Sequence, residues 1–284
     1  MAQDADVFAG GVAVITGGGA GIGAGLARRA GALGMTVVVA DLNAAAAQAT
    51  VDAIARAGGT AEAIAIDVAI PAELDRLADH VFSAYGDVRL LINNAGIETV
   101  GFTWEVPAAR WEATLNTNLH GVIHGVRAFV PRMIATGKAA WIGNLSSVGG
   151  FSIMPAQTAY IVTKHAVQSF SECLYLEMAL KAPQIHVSAI IPGMVKTDIF
   201  NPEAGAGEPP NAAAHRRRMF DMMREHGMDL DLGCQVMLEQ MAANTFWVHS
   251  QPEMSQQMIA GRIAFLQGQT APELTAAARQ IVEG

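Results

Sequence analysis

Short apolar runs rich in β-branched residues alternate along the chain with longer segments in which apolar residues recur at helical spacing. Strands that are apolar on both faces and are separated by crossover helices form a parallel sheet that helices cover on both sides. The pattern therefore predicts an α/β protein with a doubly wound, Rossmann-type parallel sheet. The predicted strands lie in GVAVIT, MTVVVAD, AEAIAID, VRLLINNAG, KAAWIGNLS, IHVSAIIPG and NTFWVHS, which gives about seven strands.

Residues 201–231 interrupt this alternation. A stretch rich in glycine and proline, NPEAGAGEPPN, leads there into a methionine-rich segment with helical spacing. Neither an internal repeat nor a low-complexity linker marks a second domain, and single α/β domains of 284 residues are ordinary. We therefore predict one dinucleotide-binding and catalytic domain over residues 1–284, in which 201–231 forms a mobile lid at one end of the sheet.

Five glycines fall within the octet TGGGAGIG, between the first predicted strand and the first predicted helix. Glycine loses much conformational entropy on ordering, so such a cluster indicates a backbone shape that side chains would block. In a doubly wound sheet this turn lies where ligands bind, and the free N–H groups at the start of the helix face an anion such as a pyrophosphate. No lysine follows the glycines, which disfavours an NTP-binding phosphate loop. A purely structural glycine turn is the alternative.

An acidic residue, Asp41, ends the second predicted strand, 20 positions after Gly21. A carboxylate there accepts hydrogen bonds from the ribose hydroxyls of NAD and repels the additional phosphate of NADP. Neither Gly18 nor Leu42, the positions where a basic residue could receive that phosphate, is basic. The sequence therefore predicts NAD as the cofactor. A helix N-cap role for Asp41 or Asn43 is compatible with this prediction.

The sequence YIVTK places Tyr160 and Lys164 one helical turn apart, so that the phenol and the ammonium lie on the same helix face. A neighbouring cation favours the phenolate and lowers the pKa of a tyrosine from its ordinary value of about 10. Alone, such a pair is most often a solvated helix face. Here Ser147 lies 13 positions before Tyr160 at the end of a predicted strand, which makes the combination far more specific.

Together these motifs, over residues from about 10 to 200, resemble the short-chain dehydrogenase/reductase family in its single-domain, NAD-dependent form. The resemblance implies the strand order 3-2-1-4-5-6-7 and an NAD site built from the glycine turn, the NNAG motif and the PGMVKT segment. It assigns cofactor binding to Gly17, Gly21, Ile22, Gly23, Asp41, Asp67, Val68, Asn94, Ala95, Gly96, Tyr160, Lys164, Pro192, Gly193, Val195 and Thr197.

The resemblance also implies an oxidoreductase that interconverts a secondary alcohol and a ketone. Tyr160 would be the general base, Ser147 would hydrogen-bond the reacting oxygen, and Lys164 would hold the ribose of the nicotinamide. Asn118, in TNLHG, would keep a water that links Lys164 to solvent. The alternative is a cofactor-binding regulator or scaffold without turnover. The presence of all four residues favours the enzyme, because a non-catalytic protein has no chemical need for them.

Candidate substrate-pocket residues flank the matched motifs or lie on a methionine stripe at helical spacing, Met219, Met222, Met223 and nearby Met228. Flexible thioether side chains suit a bulky apolar substrate, whereas ordinary packing within the lid is the alternative. The lid and the FWVHSQPEM segment resemble family members that act on bulky secondary alcohols, including lignin-type aryl alcohols. The candidates are Phe151, Met154, Met194, Phe200, Met219 and Met223.

The C-terminal part of the chain departs from many family members, which end in an Asp-Gly-Gly segment that helps to build a tetramer. This chain continues instead through HSQPEMSQQMIAGRIAFLQGQTAPELTAAARQIVEG. We expect a homodimer or homotetramer, with the dimer formed through the helices that carry Asn118 and Tyr160. His120 and His124 share a helix face but lack a suitably spaced acidic or thiol partner, so we expect no metal site.

Composition excludes several other classes of function. The net charge of −8 disfavours binding to duplex nucleic acid, and we expect the one basic run, Arg216 to Arg218, to be a solvated turn of helix. With only Cys173 and Cys234, a disulfide framework is not expected. The acidic start MAQDADVFAGG lacks a leader pattern, and the chain lacks an uncharged apolar run of about 18 residues. We therefore expect a cytoplasmic protein without a membrane or nucleic-acid partner.

Overall fold

The computed structural model describes residues 3–209 and 212–283. Its seven strands form one parallel sheet in the order β3-β2-β1-β4-β5-β6-β7, which confirms the predicted fold class and strand order. The strands are β1 (Val12–Thr16), β2 (Thr36–Asp41), β3 (Thr60–Ala65), β4 (Leu90–Asn93), β5 (Ala140–Leu145), β6 (Ile185–Ile191) and β7 (Trp247–His249).

Helices connect the strands and cover both faces of the sheet. They are α1 (Gln3–Phe8), α2 (Gly21–Ala32), α3 (Ala44–Arg56), α4 (Pro71–Tyr85), α5 (Ala108–Leu115), α6 (Gly121–Thr136), α7 (Thr158–Lys181), α8 (Ala212–His226), α9 (Leu230–Ala242), α10 (Pro252–Gly268) and α11 (Ala276–Glu283). A π-helical turn, Asn116–His120, joins α5 to α6, and short 3-10 turns span Val148–Gly150 and Pro202–Gly205.

Alternate residues of β1 enter two separate apolar layers, as expected for a strand buried on both faces. Ala13 and Ile15 pack with α2, α3 and α9, whereas Val12 and Val14 pack with α4, α6 and α7. Within the described residues, no helix combines the length and the apolar character needed to cross a lipid bilayer. Cys173 is exposed and Cys234 is buried, and both are free thiols.

The chain begins with an element that the sequence pattern did not predict. Helix α1 lies against α9, its Asp4 is fully buried, and a carboxylate oxygen of Asp4 lies 2.5 Å from Nη2 of Arg29 on α2. Phe8, also fully buried, makes an edge-to-face contact with the Trp141 ring at 5.4 Å between centroids. A six-residue segment is too short for a helical pattern of apolar residues to be recognised in the sequence. The helix is evident only from these contacts with distant parts of the chain.

The segment 201–231 contains a 3-10 turn, helix α8 and the start of α9. The expectation of a solvated basic run is wrong for Arg216, whose side chain is 1% exposed. Its guanidinium forms an ion pair with the buried Glu208 and donates to the carbonyls of Ile199 (3.0 Å) and Glu98 (3.1 Å). Glu208 also accepts from the Val100 amide at 2.7 Å. A buried polar network therefore ties the segment to the loop that follows β4.

Candidate active site

The glycine turn after β1 is shaped to receive a phosphate group. Gly17 has a positive φ of 62°, and a Cβ there would lie 2.7 Å from the Ala95 backbone; a Cβ on Gly23 would lie 2.1 Å from the Gly17 carbonyl oxygen. Asn94 donates from Nδ2 to the carbonyls of Thr16 (2.8 Å) and Gly17 (3.0 Å) and so fixes the turn. The turn leads directly into α2, where N–H groups at a helix start attract an anion. These residues fit the pyrophosphate of a dinucleotide.

Asp41 is held at the carboxyl end of β2 beside this turn. Its two carboxylate oxygens accept from the backbone amides of Gly19 and Asn43, each at 2.8 Å. Asn43, rather than Asp41, caps α3 by accepting from the Ala46 amide at 3.1 Å. The Asp41 carboxylate is therefore oriented by the backbone at the edge of the cleft, which is the position that a ribose diol requires.

Asn118 lies in the π-helical turn between α5 and α6, and its side chain is fully buried. Its Oδ1 accepts from the Ile97 amide at 2.8 Å, and its Nδ2 donates to the Ile97 carbonyl (2.9 Å) and to Thr163 Oγ1 (3.2 Å). Both amide protons are thus in use. The π-helical turn brings this amide against Ile97 in the loop after β4. Such turns occur frequently at functional sites.

Ser147, Tyr160 and Lys164 meet where β5 passes into α7. Lys164 Nζ donates to the Leu145 carbonyl at 2.8 Å and lies 5.3 Å from the centroid of the Tyr160 ring. Ser147 follows β5 and accepts from the Gly149 amide at 3.0 Å, and it also hydrogen-bonds the Tyr160 phenol. The two residues predicted to share a helix face therefore do so, next to the predicted serine.

The pKa values in this cluster are set mainly by burial. Burial raises the pKa of the Tyr160 phenol above its ordinary value, Glu98 raises it further, and the hydrogen bond with Ser147 lowers it. Burial lowers the pKa of the Lys164 ammonium to about 8, although the Glu98 carboxyl acts in the opposite direction. The sequence predicted a lowered Tyr160 pKa. The structure differs because removal of the phenol from water disfavours its charged form.

One cleft of about 930 Å³ connects the glycine turn, this cluster and an apolar chamber under α8. Every predicted cofactor residue lines it, as do Met154, Met194, Phe200, Met219 and Met223 from the predicted pocket. Phe151 does not line this cleft: its ring packs 5.5 Å from Trp247 and lines a second cavity, which shares Met154 and Met258 with the cleft. Asn118 does not line the cleft. The cleft brings together the two predicted groups of residues, those for cofactor and those for substrate.

Several residues that line the cleft were not singled out from the sequence as pocket residues. Met254 and Met258 of α10 bring the methionines on its surface to seven, together with Met154, Met194, Met219, Met222 and Met223. The spacing of Met254 and Met258 by one helical turn was the available signal, but nothing local indicates which face of α10 meets the cleft. Thr275, Ala278 and Ile281 line it from the C-terminal end of the chain.

Glu98 also lines the cleft and was not singled out from the sequence. Its side chain is 3% exposed, and its Oε1 has no hydrogen-bond partner among the described residues. Burial raises the pKa of this carboxyl well above its ordinary value, and Arg216 and Lys164 only partly oppose that effect. The Glu98 carboxyl in turn raises the pKa of both Tyr160 and Lys164, which favours the ammonium form of Lys164 and disfavours the phenolate form of Tyr160.

The part of the chain that the structure describes contains no cluster of potential metal ligands. Among residues 3–209 and 212–283, no three His, Cys, Asp or Glu side chains cluster as metal ligands would. His120 and His124 lie 6.1 Å apart between ring centroids, and His120 Nδ1 is hydrogen-bonded to Asn116 Oδ1 at 2.8 Å.

The chain is similar to a known protein family and to solved structures. The profile of the family described as short chain dehydrogenase matches residues 11–206. A short chain dehydrogenase/reductase from Burkholderia phymatum, solved in complex with NAD, is 32% identical with a TM-score of 0.90, over 95% of this chain and 98% of that chain. A metagenomic short-chain oxidoreductase in complex with NADP is 33% identical with a TM-score of 0.63, over 67% and 85%. Similar chains thus hold either nicotinamide cofactor.

Two curated relatives are oxidoreductases by name. Cyclohexanol dehydrogenase of Acinetobacter sp. is 34% identical over 190 residues, which are 66% of this chain and 74% of that protein. Probable oxidoreductase EphD of Mycobacterium tuberculosis is 33% identical over 185 residues, which are 65% of this chain. That match covers 31% of EphD, so the shared segment is about a third of the length of that relative.

Proposed function

Because the chain belongs to the short-chain dehydrogenase family, we propose that it is an NAD-dependent oxidoreductase that interconverts a secondary alcohol and a ketone. The observation that carries the proposal is one cleft in which Ser147, Tyr160 and Lys164 lie next to a glycine turn suited to a dinucleotide. The cyclohexanol dehydrogenase relative supports the same reaction class. Incubation with NAD and a panel of secondary alcohols, followed by NADH absorbance, tests the proposal.

In the proposed mechanism, NAD supplies the acceptor for the hydride that leaves the alcohol carbon. Tyr160 takes the proton of the alcohol hydroxyl, and Ser147 hydrogen-bonds the same oxygen and stabilises the charge that develops on it. The Lys164 ammonium holds the nicotinamide ribose and favours the phenolate. Asn118 would keep a water that links Lys164 to solvent, and its side chain, bonded to Ile97 and Thr163, holds the loop after β4 against α7. In ketone reduction the same groups act in reverse.

The residues proposed to hold NAD divide by the part of the molecule that each would contact. Gly17, Gly21, Ile22 and Gly23 would bind the pyrophosphate, and Asp41 would accept from the adenosine ribose. Asp67 and Val68 would flank the adenine, and Asn94, Ala95 and Gly96 would form the wall opposite the glycine turn. Pro192, Gly193, Val195 and Thr197, after β6, would flank the nicotinamide. All of these residues line the cleft, which supports the assignment.

We expect NAD to bind at least about tenfold more tightly than NADP, a difference of about 1.4 kcal/mol. The reason is the oriented Asp41 carboxylate, which would repel the additional phosphate of NADP. Calorimetric titration of both cofactors measures the ratio. Asp41→Ala should narrow it, whereas Asp52→Ala, an exposed change of equal charge on α3, should leave it unaltered. Equal affinities of the unmodified protein for the two cofactors would contradict the assignment.

The substrate half of the cleft is apolar and large, which supports a bulky hydrophobic or aryl alcohol as the substrate class. Seven methionines line the cleft, and such side chains adapt to irregular apolar ligands. Among the described residues of the lid segment 201–231, Met219, Met222 and Met223 all face the cleft. We therefore propose that this segment acts as a lid over an apolar substrate, held to the rest of the domain by Arg216 and Glu208.

Replacing Met219 and Met223 with serine should lower kcat/KM for a naphthyl-substituted secondary alcohol by about tenfold or more. Removal of apolar contact from a pocket costs about 1–3 kcal/mol per well-buried group. The value for 2-propanol should change little, because a small alcohol does not reach α8. Met228→Ser is the matched control, since Met228 belongs to the same segment but not to the cleft surface. If the double variant changed kcat/KM by the same factor for both alcohols, the methionines would contribute only to packing within the lid.

We propose that the protein is a cytoplasmic homodimer or homotetramer in which α7 contributes to the dimer contact. Val162, Leu176 and Leu180 on that helix are exposed by 46%, 64% and 80%. Exposed apolar residues on one helix are typical of an interaction surface. The double variant Leu176→Glu, Leu180→Glu should shift the protein to monomer in analytical ultracentrifugation. An unmodified protein that is already monomeric at micromolar concentration would contradict this part of the proposal.

A further inference from the structure

The C-terminal helix α11 forms part of the cleft wall. Ala278 and Ile281, one turn apart on α11, and Thr275, just before its first residue, all line the cleft. Thr275 Oγ1 accepts from the Ala278 amide at 3.1 Å, so the same threonine also caps the helix. These residues lie outside 11–206, the part of the chain that the family profile matches.

The Arg218 side chain on α8 bonds to the end of helix α11. Arg218 donates from Nε to the Ile281 carbonyl at 2.7 Å and from Nη2 to the Val282 carbonyl at 3.1 Å. The last carbonyls of a helix have no partner within the helix, and a guanidinium there satisfies them and interacts favourably with the helix dipole. The bond therefore holds the end of α11 at a fixed place beside the methionine-bearing lid helix.

Successive arginines of α8 have different surroundings. Arg216 is buried in the ion pair with Glu208, Arg217 is exposed, and Arg218 reaches α11. Since helical residues project about 100° apart, three neighbouring identical side chains point in three directions. Arg217 consequently offers a control of the same charge, one residue away from the contact.

We infer that α11 completes the substrate pocket and that Arg218 latches it there, so that Ala278 and Ile281 help to set which alcohols fit. The inference rests on the proposed function for its substrate, but the latch itself does not. Helices α8 and α11, which both line the cleft, are then joined by the Arg218 guanidinium. An alcohol or ketone with a large apolar group would make the most contact with Ala278 and Ile281, so α11 should favour binding of this class of ligand.

Amide hydrogen exchange over α11 tests the latch without any need for turnover. In Arg218→Ala, exchange in residues 276–283 should accelerate by about tenfold or more, since two charge-assisted hydrogen bonds are lost. In Arg217→Ala it should match the unmodified protein, and exchange in β1 should not change in either variant. Equal exchange over α11 in the two variants would overturn the latch.

Ala278→Phe tests the pocket assignment, because the larger side chain would enter the apolar chamber. The value of kcat/KM for a naphthyl-substituted secondary alcohol should fall by about tenfold or more, whereas that for 2-propanol should stay within about twofold. Unchanged values for both alcohols would overturn the assignment of α11 to the pocket. Absence of turnover in the unmodified protein would instead contradict the proposed function, and the exchange measurement would still decide on the latch.

Discussion

Replacing Tyr160 with phenylalanine is expected to lower kcat for alcohol oxidation by a factor of about 10²–10⁴, the usual contribution of a general base. The change removes one oxygen atom from a half-buried ring at some distance from the glycine turn and Asp41. The dissociation constant for NAD should therefore remain within a few-fold of its value in the unmodified protein. Steady-state kinetics and cofactor titration on the same preparation measure both quantities.

Two comparisons separate this role of Tyr160 from a structural one. Lys164→Ala should impair both turnover and NAD binding, because the ammonium is assigned to the ribose as well as to the phenol. Phe170→Leu, a change on the same helix away from the cleft, should leave both within a few-fold. If the phenylalanine variant of Tyr160 kept more than about a tenth of kcat, another group would have to take the proton.

Replacing Arg216 with alanine is expected to destabilise the protein strongly, because it leaves the buried Glu208 carboxylate without its main partner. Breaking a buried ion pair costs about 3–5 kcal/mol. Arg110 Nη2, 3.7 Å from Glu208 Oε1, still offers some compensation, so the lower end of that range is expected. Denaturant unfolding gives the free energy of unfolding, and hydrogen exchange over α8 shows whether the loss is local to the lid.

Two further variants make this expectation specific. Arg217→Ala removes the same charge from the exposed neighbouring position and should change the free energy of unfolding by less than about 0.5 kcal/mol. The double variant Arg216→Met, Glu208→Gln removes both charges but keeps an acceptor for the Val100 amide, so it should recover part of the lost stability. A single Arg216→Ala variant as stable as Arg217→Ala would show that the network does not hold the lid.

The sequence predicted the sheet and the residues that the structure brings together around the glycine turn, because both follow from local patterns. The apolar runs mark each strand. The turn after β1 is recognisable by its glycines, because a Cβ at Gly17 or Gly23 would clash with neighbouring backbone atoms. Asp41 was found because it ends a strand. Tyr160 and Lys164 were found because helical spacing alone places them together, and the structure adds a raised Tyr160 pKa that depends on burial and on Glu98.

The features that sequence reasoning missed depend on contacts between distant parts of the chain. Arg216 donates to the carbonyl of Glu98, 118 positions away, and nothing within its own helix distinguishes it from Arg217. Arg218 and Ile281 are likewise joined across 63 positions. Phe151 was placed in the pocket because it closely follows Ser147 in sequence; its ring contacts Trp247 and lines the cavity next to the cleft.

The most direct test of the proposed function is NADH absorbance when the purified protein is incubated with NAD and a naphthyl-substituted secondary alcohol. We predict NADH formation by the unmodified protein, a much lower rate with NADP at equal concentration, and a rate with the Tyr160→Phe variant that is lower by about 10²–10⁴. An unmodified protein that binds NAD but forms no NADH with any secondary alcohol of the panel would contradict the proposal.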